Sequence, residues 1–581
     1  RIPATHKTKD AGLSFLQGAP VEVAAYGYRL GEVEIKLWGD TKDDLTIEFK
    51  LGVDITSRNP VKASSGSHVE GWTQPHADLK EPKTAGAAIL KRAGAKAPGS
   101  VGNRRVRRKL QRLGRFVRKW LDKHLVPLSP DADTGFERWL AHTNYPEWRK
   151  DELRKIYEEQ VSINPRSAKE AEVHTFMKDE SYPEFKHARA INARVDAMKV
   201  RLGPIFKLIE SVVYKRPEFI KHVPVAERAK YIMDMVYREG AEYVATDYTS
   251  FEALFTRQVM ENCEFLLYDH MTKYLPEHDQ FMQTIKDVLG GTNKLLAHTL
   301  RASLEATRMS GEMCTSLGNG FSNLMFFLFL SEEVGYKNVR IVVEGDDGLA
   351  TGEGRPPSVE DFASLGLTIK LEKHRDLCRA SFCGLIFDET DQLVVTDPLE
   401  VLSEFGWVNS QYCRAKSHKR LALLRCKALS AAHQYPGVPI IASLADYALR
   451  ITRGLDVRRL ADSKLFNQWD RDQLYAAMKD ELRIKRIEIP FNTRLLVAEQ
   501  FGIPIDAQLS TEAYLDSLNK PTVLVLPWLD PIVPKEWIQY FYGYVRPVGV
   551  DKAWFEHLPY VNDSRTLLVQ HPAVTRCPTY A

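Results

Sequence analysis

The chain has only seven cysteines in 581 residues, and no two of them form a Cys-x-x-Cys pair. An odd, scattered set excludes a disulfide framework as the basis of the fold and points to a reducing compartment. His374, Cys378 and Cys383 lie close enough in sequence to suggest zinc, although a fourth ligand at regular spacing is missing. Long hydrophobic runs are also lacking. The longest strongly apolar stretch, Leu324 to Leu330, is far too short to cross a bilayer and reads as a buried helix. No secretory signal is visible, and the chain starts at Arg1 instead of Met, as a processed product does, so upstream targeting signals are not excluded. Excess charge of one sign is absent as well: 80 Lys and Arg against 76 Asp and Glu give a formal charge of +4. Such a balance argues for nucleic acid only where the basic residues cluster. No internal repeat is evident.

With 44% hydrophobic and 27% charged residues the composition is that of a globular protein, and the length allows more than one domain. Residues 1–80 carry short β-type runs, Glu32 to Trp38 and Leu45 to Val53, and predict a small β-rich module. The Ala, Gly, Pro and Lys-rich stretch 81–103 has little to bury and reads as a linker or a strand-tracking arm. From Arg104 the pattern changes sharply. Val106, Leu110, Leu113, Val117 and Trp120 fall at helical spacing, while Arg104, Arg105, Arg107, Arg108, Lys109, Arg112, Arg115, Arg118 and Lys119 crowd the other faces. Like charges on neighbouring turns destabilise a helix, so this one predicts RNA phosphates as its partner, with an anionic membrane surface as the alternative.

The stretch Val339 to Ala350, VRIVVEGDDGLA, is a largely β-branched run that breaks at Gly345 and presents Asp346 and Asp347 side by side. Alone, Gly-Asp-Asp is ordinary turn punctuation. Adjacent carboxylates repel, however, and a cation between them removes the penalty; Mg²⁺ suits, since it takes one or two carboxylates plus phosphate oxygens. A second β-run, Tyr243 to Tyr248, ends in Asp247 and hands over to a helix near Phe251. Upstream, Lys178, Lys186, Arg189 and Arg194 sit in a short extended segment that reads either as a basic surface loop or as the lining of a triphosphate tunnel. In SGEMCTSLGN, Ser310, Thr315 and Asn319 line the entry to an apolar helix with groups that can bond a ribose hydroxyl or a template phosphate, unless Ser310 merely caps the helix. Ser358 to Asp361 is a capping-box signature, and LTIKLEKH and SFCGLIF resume strand character. The resulting order fits an α+β fold with an antiparallel, ferredoxin-like sheet backed by helices. From Leu402 to Leu518 the pattern is mainly helical, and an aromatic, proline-rich tail follows.

Four segments thus stand in one order: MKDESYPEFKHARAINAR, ATDYTSFE, SGEMCTSLGN and EGDDG. Together they resemble motifs F, A, B and C of the viral RNA-dependent RNA polymerases of positive-strand RNA viruses. TSLGN, LGLTIKLEKH with SFCG, and NTRLLVAEQFGIPIDAQ look most like the tombusvirus-like group. The resemblance covers roughly residues 140–515. It implies a right hand of fingers (104–240, with an insertion at about 270–305), palm (241–400) and thumb with tail (401–581), the fingers and thumb mainly helical.

Asp247 and Asp346, with Asp347 in support, match the family's metal-bridging carboxylates for Mg²⁺, with Mn²⁺ as a substitute. Lys178, Lys186, Arg189 and Arg194 match the residues over the incoming triphosphate, and Ser310, Thr315 and Asn319 match the ribose-reading positions. Phe382 to Phe387 corresponds to the motif E hairpin. Glu252 stands where the family usually has a second motif A aspartate, so its network with Asn319 is expected to be rearranged. The general acid of motif D is either Lys370 or Lys373, with His374 a further candidate, and Tyr540, Phe541 and Tyr542 are candidates for a stacking platform at initiation. The partners implied are template and product RNA, nucleoside triphosphates and viral or host replication proteins, without DNA, at membrane-associated sites in the host cytoplasm and with an indirect membrane association. A reverse transcriptase and a catalytically silent RNA-binding scaffold are the competing readings.

Overall fold

The computed structural model describes residues 41–50, 62–70, 73–98, 103–159, 165, 167–409, 412, 415–462, 468–479, 486–529, 536–537, 540 and 560–561. In chain order, strands β1 (Thr46–Phe49) and β2 (Lys62–Ser64) precede the long basic helix α1 (Arg104–His124). A hairpin of β3 (Val173–Met177) and β4 (Ala190–Arg194) leads into α2 (Asp196–Val213) and α3 (Val225–Val236), and then into β5 (Tyr243–Tyr248). β6 (Thr292–Leu296) and β7 (Leu300–Glu305) form a second hairpin, followed by α4 (Thr315–Val334) and the hairpin of β8 (Lys337–Glu344) and β9 (Asp347–Glu353). β10 (Ile369–His374), the short pair β11 (Ile386–Asp388) and β12 (Leu393–Val395), and β13 (Trp407–Asn409) complete the central part. Helices at Ser417–Gln434, Ile441–Ile451, Gln468–Lys479, Phe491–Phe501 and Ile505–Ser517 follow, with β14 (Tyr560–Val561) near the end.

The sheet that carries Asp247 and the Asp346–Asp347 turn runs β10-β5-β9-β8, and every neighbouring pair in it is antiparallel. Its two central strands, β5 and β9, are buried along most of their length because both faces are covered, whereas β10 and the first half of β8 are largely exposed. Val244, Ile341, Val343 and Ala350 pack into the cluster that holds α4, whereas Tyr243, Ala245, Val342 and Leu349 pack with Ala229, Ile232 and Val236 of α3. Helix α4 is apolar on nearly all sides and is correspondingly buried, from Leu317 through Phe321 and Phe326 to Leu330. The capping box at Ser358 forms as the sequence predicts, with Ser358 and Asp361 bonded reciprocally.

Two expectations about the N-terminal part need correction. Among the described residues β1 and β2 do not close on each other as a module: β1 is the outer strand of a five-stranded sheet, β1-β7-β6-β3-β4, and β2 lies between β13 and β14. The run Glu32 to Trp38 lies outside the described residues. The stretch expected to be a linker is not a tether. Pro82–Ala88 is a helix continued by a π-helical turn, Ile89–Ala93, with Ala87, Ala88, Ile89 and Leu90 all buried. Small side chains, which suggested little to bury, here allow close approach to β1 and the strands beside it.

Candidate active site

At the sheet's β8–β9 turn, Gly345 takes a φ of 59°, in the left-handed region that suits glycine. Thr246 of β5 pairs with Gly348 of β9, so Asp247, the next residue, stands abreast of the Asp346–Asp347 turn. The two strand-end aspartates, about a hundred residues apart in sequence, therefore meet through sheet register. Asp346 is open to solvent and yet ringed by protein, the situation of a group on the floor of a cleft, and this desolvation raises its pKa, with repulsion from Glu252 and Asp247 adding and Arg189 opposing. Desolvation, reinforced mainly by Asp346, pushes Asp347 up to about 7. Asp247 and Glu344 add to this rise and a hydrogen bond with Cys383 opposes it; the Cys383 thiol lies 3.8 Å from Glu344.

Among the described residues no three His, Cys, Asp or Glu side chains form a group able to hold a metal ion. Asp247, Asp346 and Asp347 are therefore not a closed three-ligand cage, and His374, Cys378 and Cys383 do not assemble a zinc site. An all-oxygen, mutually repelling pair that is short of protein ligands does fit Mg²⁺, which commonly completes its shell with phosphate oxygens and water.

Asn323, which the sequence motifs did not single out, holds the turn from behind. It is fully buried on α4, and its Nδ2 donates to the carbonyls of Gly345 (3.2 Å) and Asp347 (3.0 Å). A polar residue one helical turn beyond Asn319 in an otherwise apolar run was the signal available.

The basic residues divide. The Arg189 Nε and Nη2 donate to the two oxygens of Glu180 at 2.6 and 2.8 Å, and Lys178 pairs with the same carboxylate at 3.0 Å. Held by Arg189 and Lys178 and by the Tyr182 hydroxyl, Glu180 is depressed to about 2 despite its partial burial. Lys186 is exposed and feels Glu400. Arg194 is not available to a triphosphate: it is buried, with bonds to Glu312 (2.9 Å), Asn293 (2.7 Å) and the Ala171 carbonyl (2.7 Å). It is a structural residue that joins β4 to the loop before α4.

In that loop Ser310 does not cap α4, whose N-cap is Cys314. Its hydroxyl donates to the Ala190 carbonyl (3.0 Å) and accepts from the Asn192 N–H (3.2 Å), which fastens the loop to β4. Thr315 donates to the Met309 carbonyl (3.0 Å). Asn319 accepts from Arg308 Nε (2.9 Å), and Arg308 in turn pairs with Glu264 at 2.6 Å, both fully buried. A Cβ at Gly318 would come within 2.5 Å of both partners, so glycine lets α4 pass over this pair without displacing it. Glu252 bonds neither Asn319 nor Ser310; its partner is Arg92.

On β10, Lys370 pairs in register with Asp247, whereas Lys373 lies opposite Val244 and reaches Glu242 at 3.8 Å. His374 lies 3.5 Å from Glu372. On α1 the predicted apolar stripe is buried, and Lys109 and Arg112 are tied to Glu333 at the end of α4. Arg104, Arg105, Arg107 and Arg108 are exposed and have no ion pair among the described residues. Tyr540 is no stacking platform. It is buried with Trp537 against Phe185, and its hydroxyl is engaged by the Asp78 N–H and Thr84. Phe541 and Tyr542 lie outside the described residues.

Over 209 residues the chain is 25% identical to the RNA-directed RNA polymerase of Striped jack nervous necrosis virus; the aligned part is 34% of this chain and 21% of that protein. The chain thus spans about a fifth of that relative's length. Residues 268–522, which carry α4, the β8–β9 turn and β10 but begin after Asp247, match the family model of viral RNA dependent RNA polymerase.

Proposed function

We propose that the chain is an RNA-directed RNA polymerase that copies a viral RNA genome, with a right-hand arrangement in which the β10-β5-β9-β8 sheet is the palm. One observation carries the reading: the register that sets Asp247 abreast of the Asp346–Asp347 turn, with Asp247 and Arg189 both close enough to Asp346 to be felt electrostatically. A primer 3′-hydroxyl attacks the α-phosphorus of a nucleoside triphosphate, and pyrophosphate leaves. Asp247 and Asp346 would hold Mg²⁺, or Mn²⁺ in its place, and when bound these ions lower the pKa of the attacking hydroxyl and neutralise charge on the leaving group.

The side chains position the reactants and balance their charge. Arg189 and Lys178 are already gathered by Glu180, and exchange of that carboxylate for the triphosphate keeps both cations paired throughout. Lys370, in register with Asp247, is better placed than Lys373 to protonate the departing pyrophosphate. Asn323 keeps the turn rigid while this happens. The exposed arginines of α1 supply a path for RNA phosphates. They crowd the first turn of the helix, where the macrodipole disfavours positive charge, which argues for a partner outside the chain.

This reading brings template RNA, nucleoside triphosphates and replication-complex proteins as partners, at membrane-associated sites in the host cytoplasm. The tombusvirus-like grouping rests on TSLGN and the segments after it. The test is incorporation of labelled ribonucleotides on a primed RNA template with Mg²⁺. The wild type is expected to extend the primer, and Asp346→Asn to abolish extension while RNA binding stays nearly intact. A wild type that binds RNA but never extends would favour the silent scaffold, and preference for deoxynucleotides would favour a reverse transcriptase.

A further inference from the structure

Glu252 has one methylene more than an aspartate in its place would have, and a longer carboxylate needs an anchor if it is to be presented in one orientation. The anchor in this chain comes from outside the polymerase-like motifs. Arg92, on the π-helical turn Ile89–Ala93, donates its Nε–H to Glu252 Oε1 at 2.8 Å. The same turn makes a second contact two residues away, where the Ser250 hydroxyl donates to the Lys91 carbonyl at 3.1 Å. Ser250 holds a left-handed φ of 48°, so the start of the helix after β5 is shaped by this docking. The pair is not sealed: Arg92 is 28% and Glu252 19% exposed. The terminal nitrogens of Arg92 have no hydrogen-bond partner among the described residues. Glu252 is also within electrostatic range of Asp346 and of Lys42, whose ammonium donates to Thr307 at 2.7 Å. Asn319 does not bond Glu252; its Oδ1 accepts from Arg308 Nε at 2.9 Å.

We infer that Arg92 is a specificity-determining positioning residue: it fixes the Glu252 carboxylate to accept the ribose 2′-hydroxyl of an incoming nucleoside triphosphate, and its free N–H groups complete that contact. The inference rests on the polymerase reading and names which residues of this chain read the sugar. A polar site built to bond a hydroxyl discriminates against a substrate that lacks it.

The experiment measures kcat/KM for ATP and dATP on oligo(A)-primed poly(U) with the full chain, for wild type, R92K, R92A, E252Q and the R92A/E252Q double variant. The expected result for R92A is a loss of about tenfold or more for ATP against a change of less than about threefold for dATP. R92K should fall between R92A and wild type, and the double variant should be no worse than the poorer single one. An equal loss on both nucleotides, or unchanged discrimination in R92A and R92K, would overturn the inference while leaving the polymerase reading intact. Absence of ATP incorporation by the wild type would overturn the polymerase reading and the inference together.

Discussion

Asn323 donates to carbonyls on both sides of Asp346, so its effect on the carboxylates is purely geometric. Asn323→Leu keeps the volume and removes both bonds to the half-buried Gly345 and Asp347 carbonyls, at a cost of about 1 kcal/mol. We expect a fall of several degrees in Tm, a drop of roughly tenfold in extension rate and a higher Mg²⁺ requirement; an unaltered rate would mean the turn holds itself. Arg194 supplies the opposite case. Arg194→Met strands Glu312, itself buried, and should destabilise the fold by about 3–5 kcal/mol in urea unfolding. The nucleotide KM of the surviving folded enzyme should stay near that of wild type; a large rise in KM with normal stability would restore Arg194 to the triphosphate site. Asp346 and Asp347 drew attention in the sequence because two adjacent carboxylates after a β-branched run are a local feature. Asn323, Arg92 and Glu180 acquire meaning only from partners that the fold brings to them.

Helix α1 is an element whose two faces do different work. Its apolar face and the ion pairs from Lys109 and Arg112 to Glu333 bind it to the body, and its first two turns project arginines that have no ion pair among the described residues. Changing Arg104, Arg105, Arg107 and Arg108 to Gln should leave Tm nearly unchanged and flatten the dependence of log K for single-stranded RNA on log[salt], by roughly 0.7 for each phosphate no longer neutralised. An unchanged slope would remove RNA from this surface. The element was readable in advance because a 3.6-residue period survives any context. The helix and π-turn at 82–93 were not, because an Ala and Gly-rich string carries no period, and its burial depends on the strands that happen to lie against it.

On the scale of the whole molecule, strands distant in sequence are joined in one small sheet. β2 lies between β13 and β14, and just beyond it His68 packs against Trp407, the rings tilted by 40° with centroids 4.5 Å apart. Desolvation holds His68 down at about 4, so the folded chain keeps it neutral where the unfolded chain, with its ordinary pKa of 6.5, takes up a proton. The stability that His68 contributes is thus present above pH 6.5 and lost as pH falls towards 4. In urea titrations the difference in unfolding free energy between wild type and His68→Gln should shrink steadily between about pH 7 and pH 5; a constant difference would show that His68 titrates alike in both states. Such long-range stitching was invisible in the sequence, where 1–80 and the tail read as separate pieces.

The outer strand of the five-stranded sheet sets a schedule for biosynthesis. Thr46 and Ser303, whose hydroxyls meet at 2.6 Å across β1 and β7, are 257 positions apart. A ribosome adding about 5–20 residues per second leaves β1 waiting on the order of tens of seconds for its partner, as an unpaired edge able to recruit other nascent chains. Slower elongation or a holding chaperone acting in that interval should therefore change the yield of native protein more than any adjustment to the β8–β9 turn.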